Sequence, residues 1–279
     1  MAEIRFALNH MVAPQLKLGD FFRLTRALGL TDVEVRNDVA GQAILDGTPA
    51  AEVKRLAAAN DISIISINAL QKFNHWSTAR AAEAEALAVY AAESGSKALV
   101  LVAANDGTRR GDDERVANAT EALIGLKPIL KAHGIIGLVE CLGFEACSLR
   151  RKSEAVAAID AAGGRDVFRL THDTFHHHLA GEGTIYPALT GLVHISGVND
   201  PAVDVSDMRD SHRVLVGPRD RLQNIDQILA LRAAGYAGAL SFEPFAEELT
   251  QLPDPARAIS HSMEFIRTQL AAVAAQASS

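Results

Sequence analysis

The sequence predicts an α/β protein folded as a single (β/α)8 TIM barrel. Three observations lead there. Short apolar runs rich in β-formers alternate with longer helix-like stretches, eight times along the chain. Several helix-like stretches end on glycine and pass within a few residues into the next apolar run. The length, 279 residues, suits one barrel, a fold that takes about 250 residues.

In chain order, the apolar runs at 4–8, 33–35, 62–67, 98–102, 135–139, 168–170, 192–195 and 239–242 read as strands. Between them, residues 50–59, 79–93, 116–132 and 225–234 carry apolar side chains at i, i+3 and i+4, the pattern of one helix face. Residues 256–274 read as the eighth helix. Gly29, Gly95, Gly134 and Gly235 stand where a left-handed cap ends a helix. Strand, helix, glycine, strand in repetition means a parallel sheet. An open doubly wound sheet is the rival, but no GxGxxG follows the first strand. No linker or low-complexity segment divides the chain, so residues 1–279 read as one domain, with an Ala-rich end at 271–279 expected to fray. The longest break in the pattern, 197–223, is rich in Asp, Arg, Gly and Pro, and a loop of that length in a compact domain is usually functional.

Composition narrows the function classes. Apolar residues make up 48% and charged residues 22%, enough to bury a core, which argues against disorder. A formal charge of −7 argues against a nucleic-acid partner, and acidic neighbours dilute local basic runs such as Arg219–Asp220–Arg221. Cys141 and Cys147 have neither CxxC spacing nor distant partners, which fits a reducing compartment. No apolar stretch approaches the ~20 residues that span a bilayer. The expectation is a cytoplasmic protein with no membrane partner.

In a barrel of this kind chemistry sits at the C-terminal ends of the strands. Strand five ends in Glu140, strand six in His172–Asp173 and strand eight in Glu243, and strand seven carries His194. Three carboxylates and an imidazole brought to one mouth repel and protonate unless a cation joins them. The oxygen-rich set with one nitrogen suits one divalent ion, Mn²⁺ first, with Mg²⁺, Co²⁺ or Zn²⁺ as alternatives. Taken singly, each such acid reads as a solvated loop residue or a helix cap; four at equivalent strand ends favour the metal. In Asp173–Thr174–Phe175–His176–His177–His178, the Asp-x-x-His spacing puts His176 one turn from Asp173. His176 is therefore the candidate for touching substrate or backing a ligand, while His177 and His178 read as packing or surface residues. Trp76, the sole tryptophan, suits either stacking on a sugar-like ring or anchoring the start of a helix.

The fragments VEVRND (33–38), INALQKFN (67–74), VECLGFEAC (139–147), HDTFHHHLAG (172–181), VHISGV (193–198), HRVLVG (212–217) and LSFEPF (240–245) resemble the xylose isomerase-like barrel superfamily over nearly the whole chain. Within it they are most similar to the 2-keto-myo-inositol (inosose) isomerases. The resemblance implies Glu140, Asp173, His194 and Glu243 as metal ligands, with Glu140 and Glu243 also the acid/base pair. It implies His176, Arg213, Arg36 and Asn68 as substrate contacts. Related sugar epimerases carry Arg six residues after the strand-seven His, where this chain has Asp200; Arg213 takes that role later in the loop. The loop reads HRVLVGPRD where the isomerases have a Gly-rich, Arg-poor ending. The implied activity is isomerisation of a small cyclic polyol ketone through an enediolate. The alternative is an epimerase or isomerase of a ketose or keto acid, set apart by the loops around 9–10, 73–76 and 200–221. An endonuclease-type barrel would need further His ligands after strands three and four, where Asn68 and Leu101–Val102–Ala103 stand; only Asp210–Ser211–His212 fits that branch. A non-catalytic sugar-binding barrel would have no use for the acid/base set. The partner expected is a sugar-like small molecule. Barrels of this kind often form homo-oligomers, and no sequence feature specifies an interface.

Overall fold

In a computed structural model, which describes residues 4–39 and 46–276, eight parallel strands pair in chain order and the last closes on the first. They are β1 (Phe6–Asn9), β2 (Asp32–Arg36), β3 (Ser63–Gln71), β4 (Ala98–Val102), β5 (Ile136–Glu140), β6 (Phe168–Asp173), β7 (Thr190–Ile195) and β8 (Leu240–Phe242). The helices are α1 (Leu18–Ala27), α2 (Ala50–Ala59), α3 (Thr78–Ser94), α4 (Asp112–His133), α5 (Lys152–Ala161), α6 (Thr174–Ala180), α7 (Asn224–Ala233), the single turn α8 (Glu247–Thr250) and α9 (Pro255–Gln276). The predicted (β/α)8 barrel is therefore the fold. None of these helices is long and apolar enough to cross a membrane.

The pleat divides each strand between two environments. Leu8, Val33, Val35, Ile67, Leu99, Leu101, Val139, Leu170, Val193 and Phe242 belong to the main core that also takes in the helices. Ala7, Val100, Leu138 and Leu192 form a separate apolar cluster that fills the lower barrel. Further along the same strands this inward face turns polar. Asn9 pairs in register with Glu34, Glu34 with Ser66, Arg36 with Asn68, Asp173 with His194, and His194 with Ser241. All of these are ionisable or hydrogen-bonding, and all are buried.

One strand, β3, runs further than the sequence suggested, and β6 ends where its acidic residue was expected. β3 continues past Asn68 to Gln71, with a register break against β4 between Asn68 and Leu70. β6 continues to Asp173, whose side chain then caps α6 by accepting from Phe175 N at 2.7 Å and His176 N at 3.0 Å. Gly95 and Gly134 end α3 and α4 in the left-handed conformation, with φ of 83° and 66°. α9 is helical to Gln276, through most of the segment expected to fray, and 277–279 lie outside the described residues.

Candidate metal centre and active site

Glu140, Asp173, His194 and Glu243 come together at the C-terminal end of the barrel, each buried, with one ligand atom from each within 4.8 Å of all the others. His194 Nδ1 is the hub. It lies 3.0 Å from Glu140 Oε1, 3.2 Å from Glu243 Oε2 and 3.9 Å from Asp173 Oδ2. Two donors on opposite sides of one hard cation stand about 4–5 Å apart, twice the usual bond length, so this spacing fits a single divalent ion. The donor set, three carboxylates and one imidazole, fits the same class of ion. Among the described residues no other such cluster exists.

Arginines balance part of this charge. Arg213 comes from the long loop after β7, is buried, and donates through Nη2 to Asp173 Oδ2 at 2.7 Å and Glu243 Oε2 at 3.0 Å. Its Nε donates to Ser196 Oγ at 3.0 Å, and its guanidinium lies over Phe245 and Phe175, 4.6 and 5.1 Å from the ring centres. Arg36, from β2, makes a two-bond contact with Asp38, 2.8 Å in each bond, and donates to Glu243 Oε1 at 2.9 Å. Asn68 and Asn9 donate to the same oxygen at 3.1 and 3.2 Å.

The two catalytic candidates therefore sit in different surroundings. Burial pushes both carboxyls up. At Glu140 burial prevails, and the pKa is raised despite His194. At Glu243, His194, Arg213 and Arg36 outweigh it and hold the carboxyl far below the usual range. His194 is desolvated, but the surrounding carboxylates raise its pKa well above the ordinary imidazole value.

Of the expected substrate contacts, Arg36, Asn68 and Arg213 all touch cluster carboxylates. His176 is buried one turn along α6, its ring edge-on to Phe144 and Phe175, and its Nδ1 has no hydrogen-bond partner among the described residues. Trp76 is not brought to the group. Its indole packs on α4, where a Cβ on Gly125 would come within 2.2 Å of the ring, so the absence of a side chain there makes its seat. His177 Nδ1 faces Lys152 Nζ at 2.5 Å. Asp210 pairs with Arg213, and His212 Nδ1 accepts from Arg209 N at 2.9 Å, so this Asp-x-His pair braces the loop. The residue sequence reasoning missed is Glu34 on β2, fully buried, 3.0 Å from His194 Nε2. Its only signal was the charged alternation Asp32–Val33–Glu34–Val35–Arg36 in a strand whose two faces are both covered. A cavity of about 570 Å³ is lined by none of the four candidate ligands; it lies beside them, sharing Phe144 with His176 and Asp210 with Arg213.

Residues 22–269 match the xylose isomerase-like TIM barrel family. The chain belongs to that family. A xylose isomerase domain containing protein from Salmonella typhimurium LT2 is 33% identical, with 95% of this chain and 97% of that chain covered and a TM-score of 0.86. A structure described as IOLI protein with a binding zinc atom is 19% identical over 96% of this chain and 98% of that chain, TM-score 0.83. D-psicose 3-epimerase from Clostridium cellulolyticum H10, solved with D-tagatose, is 16% identical over 96% and 99%, TM-score 0.74. At such identities the last two show the fold alone. No curated relative matches. Membership of the family accords with the motif resemblance read from the sequence, at the level of the family.

Proposed function

We propose that the protein is a metal-dependent isomerase of a small cyclic polyol ketone, 2-keto-myo-inositol (inosose) being the leading substrate. The observation that carries this is the placement of Glu140 and Glu243, on β5 and β8, against the same nitrogen of His194 at 3.0 and 3.2 Å. Two carboxylates that flank one metal position are placed to exchange protons with a substrate held there.

In this reading Glu140, Asp173, His194 and Glu243 hold one divalent ion, Mn²⁺ first. When bound, the ion supplies Lewis-acid polarisation of a carbonyl and the hydroxyl beside it. One carboxylate of the Glu140/Glu243 pair takes the proton from the hydroxyl-bearing carbon, and the C–H electron pair becomes the double bond of an enediolate. The other carboxyl returns a proton to the former carbonyl carbon, and the hydroxyl proton passes between the two oxygens. Carbonyl and hydroxyl have then exchanged places with no net change in protons. Because the reaction is reversible, the two glutamates swap roles with direction. His176 offers its unpartnered Nδ1 to a substrate hydroxyl. Arg213, Arg36 and Asn68 hold Glu243 in position and line the approach.

A second reading, an epimerase or isomerase of a ketose or keto acid, has one observation in its favour. Arg110, Arg150 and Arg209 line the neighbouring cleft, and none forms a salt bridge among the described residues. Those cations would suit a carboxylate-bearing substrate. A panel of inososes, ketohexoses and keto acids, assayed with the Mn²⁺-reconstituted protein and a metal count per chain, separates the readings. One ion per chain and turnover of an inosose supports the first. Turnover confined to a ketose or keto acid moves the assignment to the second. Three zinc ions per chain would point instead to an endonuclease-type barrel.

A further inference from the structure

We propose that Glu34 is a positioning residue that fixes the ring of His194 so that Nδ1 is the nitrogen offered to the metal. The inference rests on the metal reading above and extends it to a residue outside the ligand set.

The geometry is two-sided. His194 Nδ1 faces Glu140, Glu243 and Asp173, while Nε2 faces Glu34, 3.0 Å from Oε1 and 3.2 Å from Oε2. An imidazole that gives one nitrogen to a metal keeps its single ring proton on the other. That proton is buried here and needs an acceptor, and Glu34 is the acceptor within reach. A carboxylate in this position fixes the tautomer, sets the ring plane and makes the ligating nitrogen more basic.

Glu34 is itself held from three other strands, β1, β3 and β8. Ser66 Oγ of β3 donates to Oε2 at 2.6 Å, Ser241 Oγ of β8 donates to Oε1 at 2.5 Å, and Asn9 Nδ2 of β1 donates to Oε1 at 3.4 Å. Its exposure is 0%. A buried carboxylate is costly unless hydrogen bonds offset the loss of water. Three short polar side chains supply such bonds, and the His194 N–H adds a fourth. The carboxylate and the ring it faces are both fully buried.

The test is Zn²⁺ binding by the full chain, measured by competition with a chromophoric chelator at a temperature where every variant is folded. E34Q keeps shape and an acceptor oxygen but no charge; E34A removes both. The expected result is a Zn²⁺ Kd about 100-fold weaker in E34A and about 10-fold weaker in E34Q. In the Zn²⁺-loaded wild type, ¹⁵N–¹H spectra of labelled histidine should show a strongly downfield Nε2 proton on His194, shifted upfield in E34Q. A purely structural role would lower the melting temperature of the metal-free variants but leave Kd and that resonance unchanged. If E34A does not fold, E34Q alone decides. Zn²⁺ affinities within about twofold of wild type overturn the proposal while the metal reading stands. Failure of the wild type itself to bind Zn²⁺ overturns both.

Discussion

Arg213 Nη2 lies 2.7 Å from Asp173 Oδ2, so a loop guanidinium rests directly on one of the candidate ligand carboxylates. The same nitrogen reaches Glu243 at 3.0 Å. Without an ion, Arg213 is one of the few cations that balance the cluster. R213A should therefore destabilise the protein in EDTA by about 3–5 kcal/mol, because it leaves buried charge unpaired. Saturating Mn²⁺ should recover much of that loss. Urea denaturation of wild type and R213A, each with EDTA and with Mn²⁺, measures both. An equal loss in the two conditions would show that Arg213 and the ion do not share the same charge.

Glu243 has two roles in the proposed function, ligand and acid/base. E243Q keeps an oxygen donor and its hydrogen bonds from Arg36 and Asn68 but cannot carry the proton. It should retain most of its metal affinity and lose turnover by at least about a hundredfold, the usual scale of a general acid–base contribution. Metal titration alongside kcat on an inosose checks this, and wild-type turnover in E243Q would remove Glu243 from the acid/base pair.

Trp76 reads from the sequence as either a sugar platform or an anchor, and its seat on Gly125 speaks for the anchor. G125A drives a methyl group into the indole and should cost about 1–3 kcal/mol of stability. W76A should be destabilised as well, with KM and kcat of the folded enzyme unchanged. A raised KM in W76A with intact stability would return the tryptophan to the substrate pocket.

Two histidines outside the candidate ligand set should make stability fall in mild acid. Burial lowers the pKa of His10, which stacks on Phe21 and bonds Leu16 O. Burial, then the charge of Lys152, lowers His177 to about 4. Below the unfolded value of 6.5 the unfolded chain binds protons that the native protein refuses, so stability drops as pH falls from there toward each folded pKa. The slope is at most about 1.4 kcal/mol per pH unit for His10 and smaller for His177, which is half-buried and partly screened. Urea unfolding of metal-free wild type and of His10→Gln between neutral and acid pH tests the sign. Identical pH slopes in the two proteins would contradict it.

The legibility of this molecule follows from where polarity lies in a barrel. Eight apolar runs and their glycine stops were visible because the outward face of every strand packs beneath a helix, as with Val33 and Val35 or Leu99 and Leu101. Glu140, Asp173 and Glu243 were visible because each stands at or just beyond the end of its strand. Glu34 was not, because Val-Glu-Val reads equally as an amphipathic strand with a solvated charge; only closure of the sheet turns that face inward. The reach of β3 to Gln71 was hidden for the same reason, since Asn68 reads as a strand end. Trp76 stayed ambiguous because its partner, Gly125, is on α4, far along the chain.

Proton transfer at the Glu140–His194–Glu243 group leaves a solvent-isotope record. The Mn²⁺-loaded protein should be incubated with inosose in D₂O and the product examined by NMR. Deuterium is expected at the carbon that was the carbonyl, with label lost in E243Q. Turnover of inosose with no solvent deuterium in wild-type product, under conditions where E243Q is equally active, would contradict it.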